Sequence, residues 1–338
     1  MLDRLLYGKD GFMATLKDVA SEAGLAVGTV SRVLNNRGYI SEETRNRVQE
    51  AMDRLHYQPN SMARSLSKQR STMIGVIVPS ISHPYFAHLI SCLESAAYEE
   101  NYQILLFCSR GKISREEEYV RVCNSNRVAG LVLCSGSVET RRLRDLGFPV
   151  VTYERCLNDA DAGVECDNYE GGVLAARELI RSGSRKLLCI GGAGEISMPA
   201  DARRKGFLDV CREHQDVEIR EFLCSAEHVE DMDYYSELRS FFDAMPDADG
   251  VFAGSDVIGL QAITELEKRG KRVPQDVRIV GYDDVNLAWM TNPQLTTIHQ
   301  PVSEMAKECI SIIAKAANNE VFPSRTVFRV TLERRGTT

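Results

Sequence analysis

Three observations predict a small all-α head followed by an α/β body. Apolar residues from Thr15 to Asn36 recur at three and four residues with a single break, at Gly24. Near Ser71 the texture changes to short apolar runs alternating with amphipathic stretches, the pattern of a parallel sheet covered by helices on both faces. The charge balance divides at the same place: residues 15 to 70 hold nine Lys or Arg against six Asp or Glu, while the whole 338-residue chain carries −7. At roughly 100–200 residues per compact unit, this length accommodates two or three domains.

In the head, Leu16, Val19, Ala20 and Ala23 line one face of a first helix, and Val27, Val30, Val33 and Leu34 resume the pattern on a second. Two short helices joined by so tight a turn make a helix-turn-helix. The second leaves Thr29, Ser31 and Arg32 outward, where such a helix meets base edges in the major groove. An ordinary helical hairpin in a larger fold is the plain alternative. After the polar loop Asn35-Asn36-Arg37-Gly38, Ser41 caps a third helix with Glu42 and Glu43 in its first turn and Val48, Ala51, Met52 and Leu55 on its buried face. Pro59 ends it. The expected helix-turn-helix domain is therefore 14–59. In the connector, 60–70, Met62, Ala63 and Leu66 share a face of a helix too short to stand alone, one that orders only when DNA and a second copy support it.

The body, 71–338, offers the strands MIGVIVP, QILLFC, VAGLVLC, FPVVTY, KLLCIGG, DGVFAGS and VRIVGYDD. Helical patterns lie between them at 86–99, 172–181, 202–213, 234–244 and 257–269. Ligands of such sheets bind beyond the carboxyl ends of the strands.

Composition narrows the function classes. With 43% hydrophobic and 26% charged residues the chain sits in the ordinary globular range, and no run approaches the roughly 18 apolar residues of a membrane span. The first twelve residues carry Asp3, Arg4, Lys9 and Asp10 and lack the apolar region of a secretory signal, so a cytoplasmic location is expected. Met13 stands just before the first helix and is an expected alternative start. The ten cysteines include no C-x-x-C pair; Cys156 and Cys166, the nearest two, are separated by nine residues. Several, such as Cys108, Cys134 and Cys189, sit in apolar runs, where a reduced thiol acts as a small hydrophobe. Neither a metal site nor a cofactor is expected. A basic head on an acidic body focuses phosphate attraction at one end.

Taken together, TLKDVASEAG, VGTVSRVLNN, YISEETRNRV and YQPNSMARSL make the chain resemble the lactose repressor and galactose repressor family of bacterial transcription regulators, over nearly its whole length. The resemblance implies a cytoplasmic homodimer, nucleoid-associated when bound, whose heads read two half-sites of a near-palindromic operator in double-stranded DNA. It also implies paired hinge helices in the central minor groove. By position Val27, Gly28 and Arg32 match the family's base-reading residues and Leu66 its apolar wedge; Thr15, Lys17, Asn35, Asn60 and Ala63 join Thr29 and Ser31 as expected DNA contacts. Arginine can bond guanine O6 and N7 together, and a wedge trades base stacking for wrapped surface. A phosphate clamp is the plain reading of Arg32. The chain departs from the family at Ala26, usually serine, which removes a side-chain cap worth about 1 kcal/mol. Gly28 offers no side chain to a base.

The family architecture implies a body of two lobes like those of type I periplasmic sugar-binding proteins, with lobe one at 71–167 and 301–325 and lobe two at 168–300 and 326–338. A small molecule, a sugar or sugar phosphate, would lie between the lobes. The strand-end residues matching effector contacts are Ser82, His83, Tyr85, Phe86, Glu154, Asp167, Arg203, Ser255, Asp256, Asp283 and Gln300. Aromatic faces suit a sugar ring, the guanidinium fork suits hydroxyls or carboxylates, and a carboxylate can accept two hydroxyls. Glu154 departs from the commoner aspartate. Core packing for the aromatics and helix capping for Asp283 are the plain alternatives.

An enzyme on an α/β sheet is the rival class, since fold alone does not decide. Gly191-Gly192-Ala193-Gly194 lacks the third glycine of a dinucleotide fingerprint and the lysine of a P-loop, and no G-x-S-x-G or H-E-x-x-H occurs. No catalytic set emerges. A periplasmic sugar binder, or a regulator answering to a protein partner, completes the alternatives. The expected function is repression of carbohydrate-utilisation genes under a small-molecule effector. No heptad tail follows ERRGTT, which favours a dimer over a tetramer.

Overall fold

The computed structural model describes residues 14–34, 38–57, 71–134, 143, 146–155, 160–193, 198–225 and 231–338. The expected hinge at 60–70 with Asn60, Ala63 and Leu66, the loop residue Asn35, and residues 1–12 lie outside them. Two compact units meet between Ser71 and Thr72, one residue beyond the expected start of the body.

In the first unit α1 (Leu16–Ala23), α2 (Val27–Leu34) and α3 (Glu42–Arg54) surround a core of Val19, Ala20, Ala23, Val30, Val48 and Ala51. Thr15 and Asp18 cap α1 reciprocally: Thr15 N donates to the Asp18 carboxylate at 2.7 Å and Asp18 N donates to Thr15 Oγ1 at 3.4 Å. Gly24, at φ 63°, ends α1 in the left-handed region and turns the chain into α2. Ser41 caps α3, and Arg47 of α3 donates to the Ala23 carbonyl at 2.7 Å, tying the third helix to the turn.

The second unit holds two sheets. The first contains β1 (Met73–Val78), β2 (Gln103–Cys108), β3 (Gly130–Leu133), β4 (Val150–Tyr153), β5 (Ala162–Cys166) and, from far along the chain, β11 (Arg325–Phe328), in the order β11-β5-β4-β3-β1-β2 with every pair parallel. Helix α4 (Pro84–Glu99) follows β1 and α5 (Ile113–Ser125) follows β2. The second sheet contains β6 (Lys186–Ala193), β7 (Glu218–Ser225), β8 (Gly250–Ala253), β9 (Arg278–Asp283), β10 (Thr296–His299) and β12 (Thr331–Glu333). Its order is β12-β10-β9-β8-β6-β7, antiparallel only at β12. Its helices are α6 (Asn168–Arg181), α7 (Asp201–Arg212), α8 (Tyr235–Ala244), α9 (Asp256–Lys268) and the short α10 (Asn286–Met290). Helix α11 (Val302–Ala317) returns to pack on α4 and on β3, β4 and β5 of the first sheet.

The chain thus passes between lobes three times, at Asp167, at Gln300-Pro301 and at Arg329-Val330. The last crossing corrects the expected boundary after residue 325: Arg325–Phe328 pairs in parallel with Gly163–Cys166 and extends lobe one to Phe328. Alternation along the strands explains the layering. Ile74, Val76, Val132, Val151 and Tyr153 face a core that continues into lobe two through Tyr282 and Phe252, while Ile77, Leu131, Leu133 and Val150 face a second core under α5. Nine cysteines among the described residues are free thiols, seven of them buried.

Candidate functional site

On the head, Val27, Gly28 and Arg32 are exposed and Ser31 half-buried, and at roughly 100° per residue they share one face of α2, opposite Val30. Thr29 is half-buried off that face; Thr15 and Lys17 are exposed at the start of α1. Val27 leaves 41% of its surface open. Thr29 N and Val30 N bond the Ala26 carbonyl, so Ala26 occupies the capping position without a side chain to contribute.

In the body, polar side chains from both lobes converge where the strands end. Tyr85 and Tyr153 hydroxyls lie 3.0 Å apart, and Tyr85 donates to Gln300 Oε1 at 3.0 Å. Gln300 Nε2 donates to Asp283 Oδ1 at 2.7 Å. Arg203 Nη1 lies 3.5 Å from the same oxygen and donates to the Gly254 carbonyl at 3.0 Å, while its Nε donates to Asn168 Oδ1 at 2.6 Å. Asn168 Nδ2 then donates to Glu154 Oε2 at 2.8 Å, which closes a circuit from lobe one through lobe two and back. Cys166 joins twice, its N–H on Glu154 and its thiol on Gln300.

Local backbone explains how these groups meet. A Cβ on Gly172 would stand 1.8 Å from the Arg203 carbonyl oxygen, and one on Gly206 would stand 2.1 Å from that of Tyr169, so α6 and α7 touch backbone to backbone only because both are glycine. That approach brings Arg203 of α7 to Asn168 of α6, with its guanidinium 3.7 Å above the Tyr282 ring. Glu154, Asp283 and Asp284 have φ of 52°, 111° and 55°. Each such conformation costs on the order of 1 kcal/mol or more and persists where surrounding bonds hold it.

Burial sets the charges. It pushes the Asp283 carboxyl up to about 7 against the pull of Arg203 and Gln300. Burial works against the Arg203 cation, but the acidic surroundings, with the Asp283 and Glu154 carboxyls nearby, outweigh it and it stays protonated. Burial alone lowers His83 to about 4, leaving a neutral imidazole, and burial first, with Glu154 nearby, raises Tyr85, Tyr153, Tyr282 and Cys166, so those hydroxyls and the thiol keep their protons.

Of the residues expected at this site, Tyr85, Glu154, Arg203, Asp283 and Gln300 come together. His83 caps α4, its Nδ1 accepting from Tyr85 N at 3.3 Å, and Phe86 packs edge-on to both rings. Ser82 is exposed, its N–H on Ser80 Oγ. Asp167 and Ser255 are helix caps, accepting from Glu170 N and Ile258 N. Asp256 departs from expectation most: it is wholly buried beneath the site, accepting from Val285 N at 2.8 Å and Thr297 Oγ1 at 2.5 Å. Among the described residues no group of three His, Cys, Asp or Glu is placed to hold a metal.

Residues 15–60 match the profile of bacterial regulatory proteins of the lacI family, and residues 176–338 match that of a periplasmic binding protein-like domain. The ribose operon repressor of Bacillus subtilis (strain 168) is 35% identical over 301 residues, covering 89% of this chain and 91% of that protein. The chain belongs to the lacI family of bacterial regulatory proteins. This lacI-family chain is a DNA-binding transcription regulator. It is also 32% identical over 307 residues to the HTH-type transcriptional repressor PurR of Pectobacterium atrosepticum, 89% of each chain being covered. A periplasmic binding protein/LacI transcriptional regulator from Alkaliphilus metalliredigens QYMF, solved with D-xylulofuranose, is 31% identical with a TM-score of 0.71, covering 79% of this chain and 99% of that one. The Lac repressor dimer bound to operator shares the fold over 96% of this chain and 99% of its own, with a TM-score of 0.83 at 22% identity.

Three members of the regulator's polar circuit, Tyr153, Cys166 and Asn168, and the Tyr282 ring under Arg203 lie outside the residues expected from sequence. Each adjoins an expected residue, and position next to a strand end was the one signal available. Among the described residues no helix is long and apolar enough to cross a membrane.

Proposed function

We propose that this regulator represses transcription from a near-palindromic operator as a homodimer and is controlled by a sugar or sugar phosphate held between its lobes. The circuit joining Tyr85, Glu154 and Gln300 to Arg203 and Asp283 carries this reading. It collects a cation, carboxylates, amides and hydroxyls at the carboxyl ends of strands from both lobes, and a polyol offers a matching set of hydroxyls. The names of the relatives support a sugar: a ribose operon repressor at 35% identity, a sucrose operon repressor from Pediococcus pentosaceus at 31%, and a neighbouring structure solved with D-xylulofuranose.

A sugar entering this circuit replaces bonds that now run from lobe to lobe, and so changes how the lobes close. Because the two hinges of a dimer leave the same pair of bodies, that change alters whether both heads engage DNA together. A ligand that prefers one state about 100-fold shifts the balance by ~2.7 kcal/mol per site. Fluorescence anisotropy on DNA upstream of the protein's own and adjacent genes, titrated with D-ribose, other pentoses, hexoses, disaccharides and hypoxanthine, tests the reading. Operator affinity is expected to change with one sugar. No duplex bound at low salt would refute operator binding; a response to hypoxanthine alone would replace the sugar with a purine, and no response to any would favour a protein partner.

A further inference from the structure

The two residues after β9 behave differently from ordinary strand-end carboxylates. Asp283 reaches into the polar circuit, while Asp284 turns away from it into a clamp of its own. Asp284 Oδ2 lies 2.9 Å from His299 Nδ1, and its Oδ1 accepts from Arg335 Nη2 at 2.5 Å. Arg335 is fixed in turn: its Nη1 donates to the Leu295 carbonyl at 2.9 Å and its backbone N donates to Thr296 Oγ1 at 2.9 Å. On the far side Val285 N is held by the buried Asp256. Asp283 therefore sits at φ 111° next to a residue at φ 55°, and bonds from β10, from α9 and from the segment after β12 secure the two residues that follow it.

We propose that Arg335 and His299 are positioning residues for the effector site: by gripping Asp284 they hold Asp283 in the left-handed conformation that aims its carboxylate at the ligand. His299 pairs with Asp283 in the sheet through its backbone, and the His299 and Arg335 side chains bond Asp284 rather than a member of the circuit. This rests on the reading of Asp283 as an effector contact. The neighbouring Arg334 supplies an internal control, because it extends from the same segment yet bonds Glu178 near the far end of α6, at 2.8 Å.

The test measures D-ribose binding by calorimetry and melting temperature on the full chain for the parent, Arg335→Ala, Arg335→Lys, His299→Ala and Arg334→Ala, together with a crystal structure of Arg335→Ala. Arg335→Ala is expected to weaken D-ribose about tenfold, the loss of one charged hydrogen bond's worth of pre-organisation, with partial recovery in Arg335→Lys. His299→Ala is expected to weaken it less, and Arg334→Ala to lower melting without changing affinity. Equal affinity in Arg335→Ala and the parent, or equal losses in Arg334→Ala and Arg335→Ala, overturns the proposal. If the parent binds neither D-ribose nor sucrose, cellobiose or hypoxanthine, the effector reading itself fails. The crystal structure then decides positioning alone: Asp283 leaving φ near 111° and losing Gln300 supports it, and an unchanged Asp283 sinks it.

Discussion

Asp283 carries opposite pH signatures in the empty and the occupied protein. Its folded carboxyl titrates at about 7, above the ordinary 3.8, so the stability it contributes is complete below about 3.8 and is lost as pH rises through about 7. A sugar that donates hydroxyls needs the carboxylate. Its affinity is expected to rise about tenfold from about pH 6 to about pH 8 and then level off, and Asp283→Asn should abolish the dependence in calorimetric titrations. At the other end of the chain, Arg32→Ala is expected to weaken the operator more than random duplex, by the ~1–3 kcal/mol of a base-reading arginine. Equal loss on both, measured by anisotropy, would make Arg32 a phosphate clamp. Asp283 was legible as the residue that ends β9 in Gly-Tyr-Asp-Asp, and Arg203 through the match of Arg-x-x-Gly to the family, although it lies in α7 and not at a strand end. Asp256 looked equivalent, and nothing local distinguishes it; only Thr297 and Val285, brought over by β10 and the turn after β9, draw its carboxylate into the core.

Most helices and the central strands were the readable elements, since burial on one or both faces writes itself into apolar spacing, but α5, α10 and α11 were not among the helices expected. The strands β5, β7, β10, β11 and β12 were not readable. β7 is a sheet edge with Glu218, Arg220 and Glu221 exposed, and β11 shows only half-buried and exposed residues, so neither leaves a continuous apolar run. The glycine contact between α6 and α7 was visible as a motif but not as a reason. Gly206→Ala is expected to push the two helices apart, because the added methyl meets backbone rather than a movable side chain. Thermal melting should fall, with the proposed effector response lost as Arg203 leaves Asn168. In the head, Ala26→Ser should supply the missing cap and stabilise α2 by about 0.5–1 kcal/mol, read as slower amide hydrogen exchange at Thr29 and Val30.

For the whole molecule, the proposed dimer sets affinity by two weak heads acting together. A duplex carrying one half-site is expected to bind at least ~100-fold more weakly than one carrying both, and binding to both should fall steeply with added salt. Equal affinity for one and two half-sites in anisotropy titrations would show that the heads do not cooperate. The three passages between lobes bear on how the protein is made as well as on how it closes. Lobe one receives its strand β11 and its helix α11 from residues after 300, although most of its sheet is complete by Cys166. On the ribosome, the DNA-reading unit has all its residues early and can fold by itself, whereas the first sheet must wait uncovered on its α11 face until nearly the last residues emerge. Nascent chains arrested before Val302 would therefore display an open apolar sheet to chaperones, and those arrested after Phe328 would not.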